Sequence, residues 1–480
     1  LVGSEMCIRD SLKYSIINFK YNRMGVIHVN SFNENSSIKK LCSDLSEHSS
    51  INPKLYDKFF VKRGLRNSDG TGVVAGITNI CNVHGYVVNE GDREPIDGEL
   101  IYRGYSIKEL VENVTNDDRF GFEEITYLLL TGKLPNKKSL AAFSDYLAER
   151  RELPSGFVVD MILKAPSKNI MNKLGRSVLA LYSYDEECEN HSIENEMRIA
   201  LELVAKLPVI MTNAYQTKKS YYEHKSMIMH PIRKDERMAE TILSLMRFDR
   251  KYTKEEAQLL DTMLMLHAEH GGGNNSTFTC RVLTSSGTDA YSAYSAAIGS
   301  LKGHRHGGAN IKVMQMLDDF KENVRNWEDE GEVADHMIKI LNKEANDRSG
   351  LIYGMGHAVY TLSDPRAVIL KKKAFELAEG KEIEADFRLL NTIERLTPEI
   401  FKEVKGSDKV VCANVDMYSG LVYKMLGIPS DLYTPLFAVS RIVGWAAHRM
   451  EEILTGSRII RPAYKAIAKP RKYIPLSERD

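Results

Sequence analysis

The sequence predicts an almost all-α protein with a larger and a smaller helical domain. Three observations carry that expectation. Helix start and stop signals recur along most of the 480 residues. Alternation typical of strands is confined to one glycine-punctuated stretch, "TGVVAGITNICNVHGYVVNEG" at 71–91. The block from about 309 to 419 is more charged than the apolar chain on either side, as expected of a smaller helical domain inserted into a larger one.

Taken in order, residues 1–49 form an N-terminal arm, expected to be partly disordered, and the polar stretch from about Ser31 to Asp69 is expected to be loosely attached with a short helix. Its opening, "LVGSEMCIRDS", resembles translated sequencing-adaptor sequence, and Met24 lies nearer an expected start. The glycine-rich stretch at 71–91 reads as a small β-ribbon. In "DGELIYRGYSIKELVEN" Ser106 is a candidate N-cap for a helix carrying Leu110 and Val111. Further helices stop at Gly132 and Pro135, at Pro154, and at Gly271–Gly273. In "SDPRAVILKKKAFELAEG", Ser363 or Asp364 caps, Pro365 sits in the first turn and Gly380 follows the last. "SDLYTPLFAVSRIVGWAAHRMEEILTG" is long and apolar enough to be buried on most sides. The expected large domain is 50–308 with 420–480, and the small one 309–419.

Composition narrows the function. Sixty-five basic residues balance 65 acidic ones, so no net field favours nucleic acid or a membrane surface. Six cysteines without CxxC spacing argue against a disulfide framework or a zinc ribbon. No uninterrupted apolar run spans a bilayer, and the expected location is cytoplasmic.

Four stretches can carry chemistry, and each has an ordinary reading beside it. "LHAEHGGGNN" ends a helix with His267 and His270, three apart and therefore on one face. They are either dipole-favoured C-terminal histidines or a metal pair, and the spacing is not that of a zinc protease. "GHRHGGAN" holds His304 and His306, which cannot share a helical face; taken alone it is a polar connection between helices. "GMGHAVYTLSDPR" brings Gly354 and Gly356 before His357, where backbone N–H groups can hold an anion or simply make a tight turn. In "ANVDMYSG" Asp416 stands directly before a helix, where a carboxylate usually caps. Together with the arginines of "DPR", "VSR" and "IIRP", these residues make an acid–base set and a set of carboxylate clamps. No P-loop, serine elbow or dinucleotide fingerprint competes with them.

At this point the chain resembles the citrate synthase family from about Gly76 to Tyr464, through "GELIYRGYSIKEL", "HGGGNNSTF", "GHRHGGAN", "GMGHAVYTLSDPR", "NVDMYSG", "FAVSRIVGW" and "IIRPAY". The resemblance implies a mostly helical homodimer with the active site in the cleft between a large and a small domain. It implies that His306 assists enolisation, that Asp416 is the catalytic base and that His357 polarises the ketone of oxaloacetate. By the same resemblance His270, Arg366, Arg441 and Arg461 bind oxaloacetate, Arg461 reaching in from the partner subunit. Gly354, Met355, Gly356 and Arg305 become candidate CoA contacts, with no cofactor and no metal. His304 is left without a chemical role.

The implied reaction condenses acetyl-CoA with oxaloacetate through an enol, followed by thioester hydrolysis. A neutral His306 is expected, because a helix N-terminus disfavours imidazolium. Many family members carry Arg or Lys after the GMGH-type motif, whereas positions 358–361 here are Ala-Val-Tyr-Thr. The CoA phosphates must then be met elsewhere, by Arg305 or Lys371–Lys373. The rivals are a 2-methylcitrate synthase using propionyl-CoA, an inactive relative serving as a binding or regulatory subunit, and a metal-binding protein.

Overall fold

Helices form in the computed structural model where side-chain caps and apolar faces coincide; it describes residues 34–67, 70–89, 92–406, 410–456 and 458–479. The described residues fall into two compact units. One is Arg66–Ala466, and the other takes the described residues up to Leu65 with those from Ile467 onward. The second unit holds α1 (Glu34–Ser49) and α2 (Lys54–Lys58), where the short N-terminal helix was expected. The adaptor-like opening lies outside the described residues.

The ribbon is shorter at its start than the alternation suggests. It begins at Cys81, with β1 (Cys81–Asn89) pairing antiparallel to β2 (Asp92–Tyr102) and β2 pairing to β3 (Tyr105–Ser106). The register slips between His84 and Tyr86, where Gly85 sits. Helices then follow in succession: α3 (Ile107–Asn116), α4 (Phe122–Thr131), α5 (Lys137–Glu149), α6 (Ile170–Leu181) and α7 (Ile193–Glu223). Next come α8 (Met238–Met246), α9 (Lys254–His267), α10 (Asn275–Ser285) and α11 (Ala290–Leu301). Beyond the histidine turn lie α12 (Ala309–Asn323), α13 (Glu330–Leu341), α14 (Pro365–Ala378), α15 (Glu384–Lys405), α16 (Asp416–Met425) and α17 (Tyr433–Thr455).

Many starts are capped as side-chain chemistry dictates. The side chains of Asn136, Asn169, Ser192, Thr253, Asn274, Asp289, Asp329 and Asp364 each accept a first-turn N–H. Ser106 occupies the N-cap position of α3 but makes no side-chain cap bond.

The core is built around α17, which packs against α4, α7, α9, α10 and α11. Trp445, Arg441 and Arg449 on it are fully buried. Arg449 grips Glu196 of α7 with two bonds of 2.7 and 2.6 Å, the bidentate geometry a buried ion pair needs to offset its desolvation. In the charged block, α13 packs on α15 and α12 on α16. Among the described residues no helix is long and apolar enough to cross a membrane.

Candidate active site

His270 is set by a helix that ends early. α9 stops at His267, so His267 and His270 do not share a helical face, contrary to the spacing argument. The helix ends there because α17 and the β-ribbon take up its last carbonyls. Ser440 donates to Leu264 O, Arg441 Nε to His267 O at 2.7 Å, and the Gly444 N–H to Ala268 O at 3.2 Å. The Tyr102 hydroxyl donates to Glu269 O at 2.9 Å. Glu269 Oε1 accepts the Gly271 N–H and the His448 ring, and His448 in turn accepts from Arg281. A Cβ at Gly444 would lie 2.1 Å from Glu269 Oε2, so the segment can dock only on glycine.

His306 sits in the turn between α11 and α12, its N–H bonded to Gly303 O at 2.8 Å. Its Nε2 lies 3.0 Å from Ser276 Oγ at the start of α10. That hydroxyl accepts the Trp445 indole N–H at 3.2 Å and donates to Asn274 Oδ1 at 2.9 Å. Burial first, and then the Arg441 charge, lowers the His306 pKa to about 4. The ring is neutral as expected, but desolvation rather than a helix N-terminus is the main cause.

The turn carrying His357 joins the one carrying Asp416. Gly356 N–H donates to Cys412 O at 2.7 Å and Asn414 N–H to Gly354 O at 2.8 Å. The Gly356 N–H, like the Met355 N–H on Ile352 O at 3.3 Å, is therefore spent on backbone and not free to hold an anion. The close approach at Gly354 is to Met417, whose Cα would lie 2.9 Å from an added Cβ. His357 Nδ1 accepts the N–H groups of Val359 and Tyr360, both at 3.1 Å, so its ring proton is on Nε2. Burial and then Arg366 lower its pKa to about 4.

Asp416 is the first residue of α16, not its cap. Val415 holds the N-cap position, and the Asp416 N–H is taken by Asn414 Oδ1 at 3.0 Å. Burial raises the Asp416 carboxyl to about 6, against the opposing charges of Arg366 and Arg441. Asp364 grips Arg366 through Nε at 3.0 Å and Nη2 at 2.7 Å, and its Oδ2 accepts the Val415 N–H at 3.3 Å. One carboxylate thereby fixes both Arg366 and the residue before Asp416.

Arg441 is the open end of the site. It is 0% exposed, and beyond its bond to His267 O both Nη atoms lack a partner among the described residues. A buried guanidinium with two open forks is costly unless a ligand carboxylate completes it. Burial lowers its pKa, with Glu269 the largest opposing charge. Its charge also depresses His267, His270 and His306 and opposes the rise at Asp416, so these groups share one electrostatic neighbourhood. His270 is held well below its usual range, first by burial and then by Arg366.

A helical chain whose separated helix ends bring three neutral histidines, a raised carboxylate and an unfilled guanidinium together matches known proteins along most of its length. The family described as citrate synthase, C-terminal domain, matches residues 67–463. The chain belongs to the citrate synthase family. It is 34% identical to a citrate synthase of Haloferax volcanii, over 83% of this chain and 98% of that protein. It is equally 34% identical to a 2-methylcitrate synthase of Shewanella oneidensis, over 79% and 92%. A citrate synthase of Thermoplasma acidophilum, solved as a ternary complex with carboxymethyl coenzyme A and oxaloacetate, superposes with a TM-score of 0.69 at 28% identity, covering 87% of this chain and 99% of that one.

Within this family frame, the structure brings together His270, His306, His357, Arg366, Asp416 and Arg441. Arg461 is not among them: it is exposed, just after Ile460, whose N–H bonds Ser285 Oγ at the far end of α10. Arg305 is exposed in the histidine turn, and Met355 borders a cavity of about 360 Å³ that Lys371, Glu394 and Arg395 also line. Among the described residues no group of three or more His, Cys, Asp and Glu side chains is placed to hold a metal ion. Sequence reasoning missed Ser276, Asp364, Glu269 and Tyr360. Asp364 had a signal, since a cap directly before Pro-Arg also faces the arginine; the others act across the fold and had none.

Proposed function

We propose that the chain condenses acetyl-CoA with oxaloacetate and water, giving citrate and CoA, as a cytoplasmic homodimer without cofactor or metal. The observation that carries this reading is Arg441, a buried guanidinium with both Nη atoms open beside three neutral histidines and a carboxyl raised to about 6. That set suits a dicarboxylate and a weak carbon acid. Arg366 and Arg441 hold the oxaloacetate carboxylates, because planar guanidinium forks match carboxylate oxygens two at a time. His270 adds a further oxaloacetate contact.

Asp416 removes a proton from the thioester methyl while His306 donates to the thioester oxygen. His306 Nε2 is engaged by the Ser276 hydroxyl, so Nδ1 is the nitrogen left for the substrate, and donation from it calls for the tautomer with the ring proton on Nδ1. The enol carbon then attacks the ketone carbon. His357, with its proton on Nε2, donates to the oxygen that becomes the alkoxide. Water hydrolyses the citryl thioester, and CoA leaves. Gly354, Met355, Gly356 and Arg305 are the proposed CoA contacts; the cavity at Met355, with Lys371 and Arg395 on its walls, supports seating part of the coenzyme there.

Steady-state kinetics with both acyl-CoAs test the substrate. Acetyl-CoA is expected to exceed propionyl-CoA in kcat/KM by about tenfold or more, the range one methylene supplies. The reverse preference would make the chain a 2-methylcitrate synthase, the reading that the Shewanella relative favours. A protein with neither activity would be the binding subunit.

The binding order also follows. His357, Arg366 and Asp416 lie in 309–419, and His270, His306 and Arg441 outside it, so closure of the two parts completes the site. Oxaloacetate, with two carboxylates to bridge the arginines, supplies the differential affinity for the closed state. Calorimetry should find a non-reactive acetyl-CoA analogue binding more tightly with saturating oxaloacetate than without it, and the linkage should be reciprocal. Equal affinities would exclude closure as the source of order.

A further inference from the structure

The segment after His357, where the family's basic residue is missing, contains Tyr360, and none of the steps above uses it. It is 3% exposed and touches both substrate-facing histidines. Its backbone N–H is one of the two that fix His357 Nδ1. Its ring stacks on His357 with centroids 4.5 Å apart and planes 25° from parallel, and the Arg366 guanidinium lies 6.0 Å from the ring centroid. Its hydroxyl is 3.2 Å from His270 Nε2. The β-ribbon pins it in this position. A Cβ at Gly85 would lie 2.9 Å from Tyr360 Cα, and one at Gly98 would lie 2.6 Å from Tyr360 Cδ1.

A neutral imidazole nitrogen accepts better than a phenol oxygen, so the hydroxyl donates and the His270 proton is left on Nδ1. We infer that Tyr360 is the positioning residue of the oxaloacetate site: its hydroxyl fixes the orientation and tautomer of His270 while its ring and N–H fix those of His357. The inference rests on the proposed condensation, since it takes both histidines to face the keto acid. It assigns Tyr360 a role in oxaloacetate affinity rather than in proton abstraction, which belongs to Asp416 and His306.

The test is a pair of substitutions measured singly and together. Tyr360→Phe keeps the ring, the stacking and the N–H, and leaves His270 Nε2 a buried acceptor without a donor. Its KM for oxaloacetate should rise about tenfold, with kcat and the KM for acetyl-CoA within about twofold of wild type. In a His270→Ala background the same change should alter the KM for oxaloacetate by less than about twofold, because the hydroxyl acts through His270. An unchanged KM in Tyr360→Phe, or an equal rise in both backgrounds, would overturn the inference. A Phe variant that lost only thermal stability would reduce Tyr360 to packing. Wild-type protein that condenses nothing would instead refute the reaction, so the two failures are distinguishable.

Discussion

Replacing Asp416 with asparagine is expected to lower kcat about a thousandfold while leaving oxaloacetate affinity within about threefold of wild type. Asparagine preserves shape but cannot take a proton from the thioester methyl. The usual alternative for a carboxylate at a helix start is a cap worth about 1 kcal/mol. Here that alternative is weak, because Val415 holds the N-cap position and Asn414 Oδ1 receives the Asp416 N–H. The variant should therefore melt near the wild-type temperature.

The pH profile is the second readout. A base must be ionised to act, and burial sets the Asp416 carboxyl at about 6. His306 and His357, at about 4, are already neutral there. Wild-type kcat/KM should therefore fall about tenfold per unit as pH drops below about 6 and level off above it. The residual activity of Asp416→Asn should lose that limb. Near-normal turnover in the variant would remove Asp416 from the chemistry and leave the limb to another group.

The helices, and most of the groups that converge, were legible in the sequence because their signals are local. Asp364-Pro365-Arg366 announces a helix start, and histidines beside glycines announce turns that a helix cannot carry. What could not be read depends on partners far along the chain. The end of α9 at His267 is fixed by Arg441, 174 residues away, and by Tyr102, which reaches Glu269 from 167 residues before. Spacing alone therefore put His267 and His270 on one helical face. The use of the Gly356 N–H was hidden for the same reason, since its acceptor, the Cys412 carbonyl, lies 56 residues further along the chain. Ser276 and Tyr360 carry no motif of their own; each becomes visible only when a histidine from another element arrives at its hydroxyl. The neutrality of His306 was foreseen, but its main cause is burial, which only the packed fold supplies.

Arg461 yields the other large effect: two inactive chains should recover activity when mixed. Within one chain it is poorly placed to join the clamps. Ile460 is tied to Ser285 at the C-terminal end of α10, whereas the site residue Ser276 stands at its N-terminal end. Nine residues of helix separate those ends by about 14 Å. Arg461 is exposed there, beside an extended segment in which Ile459 and Tyr464 are 61% and 94% exposed, apolar surface that a second subunit would cover. If Arg461 completes the partner's site, Arg461→Leu and Asp416→Asn homodimers are each nearly inactive. In a hybrid, the chain that keeps Asp416 receives Arg461 from its partner, and the other site carries both defects. Subunit exchange in an equal mixture should thus restore roughly a quarter of wild-type sites. Mass spectrometry can establish that hybrids form before the rates are compared. Hybrids without recovered turnover would make Arg461 a residue of its own chain's surface, and each active site would then be built from one chain.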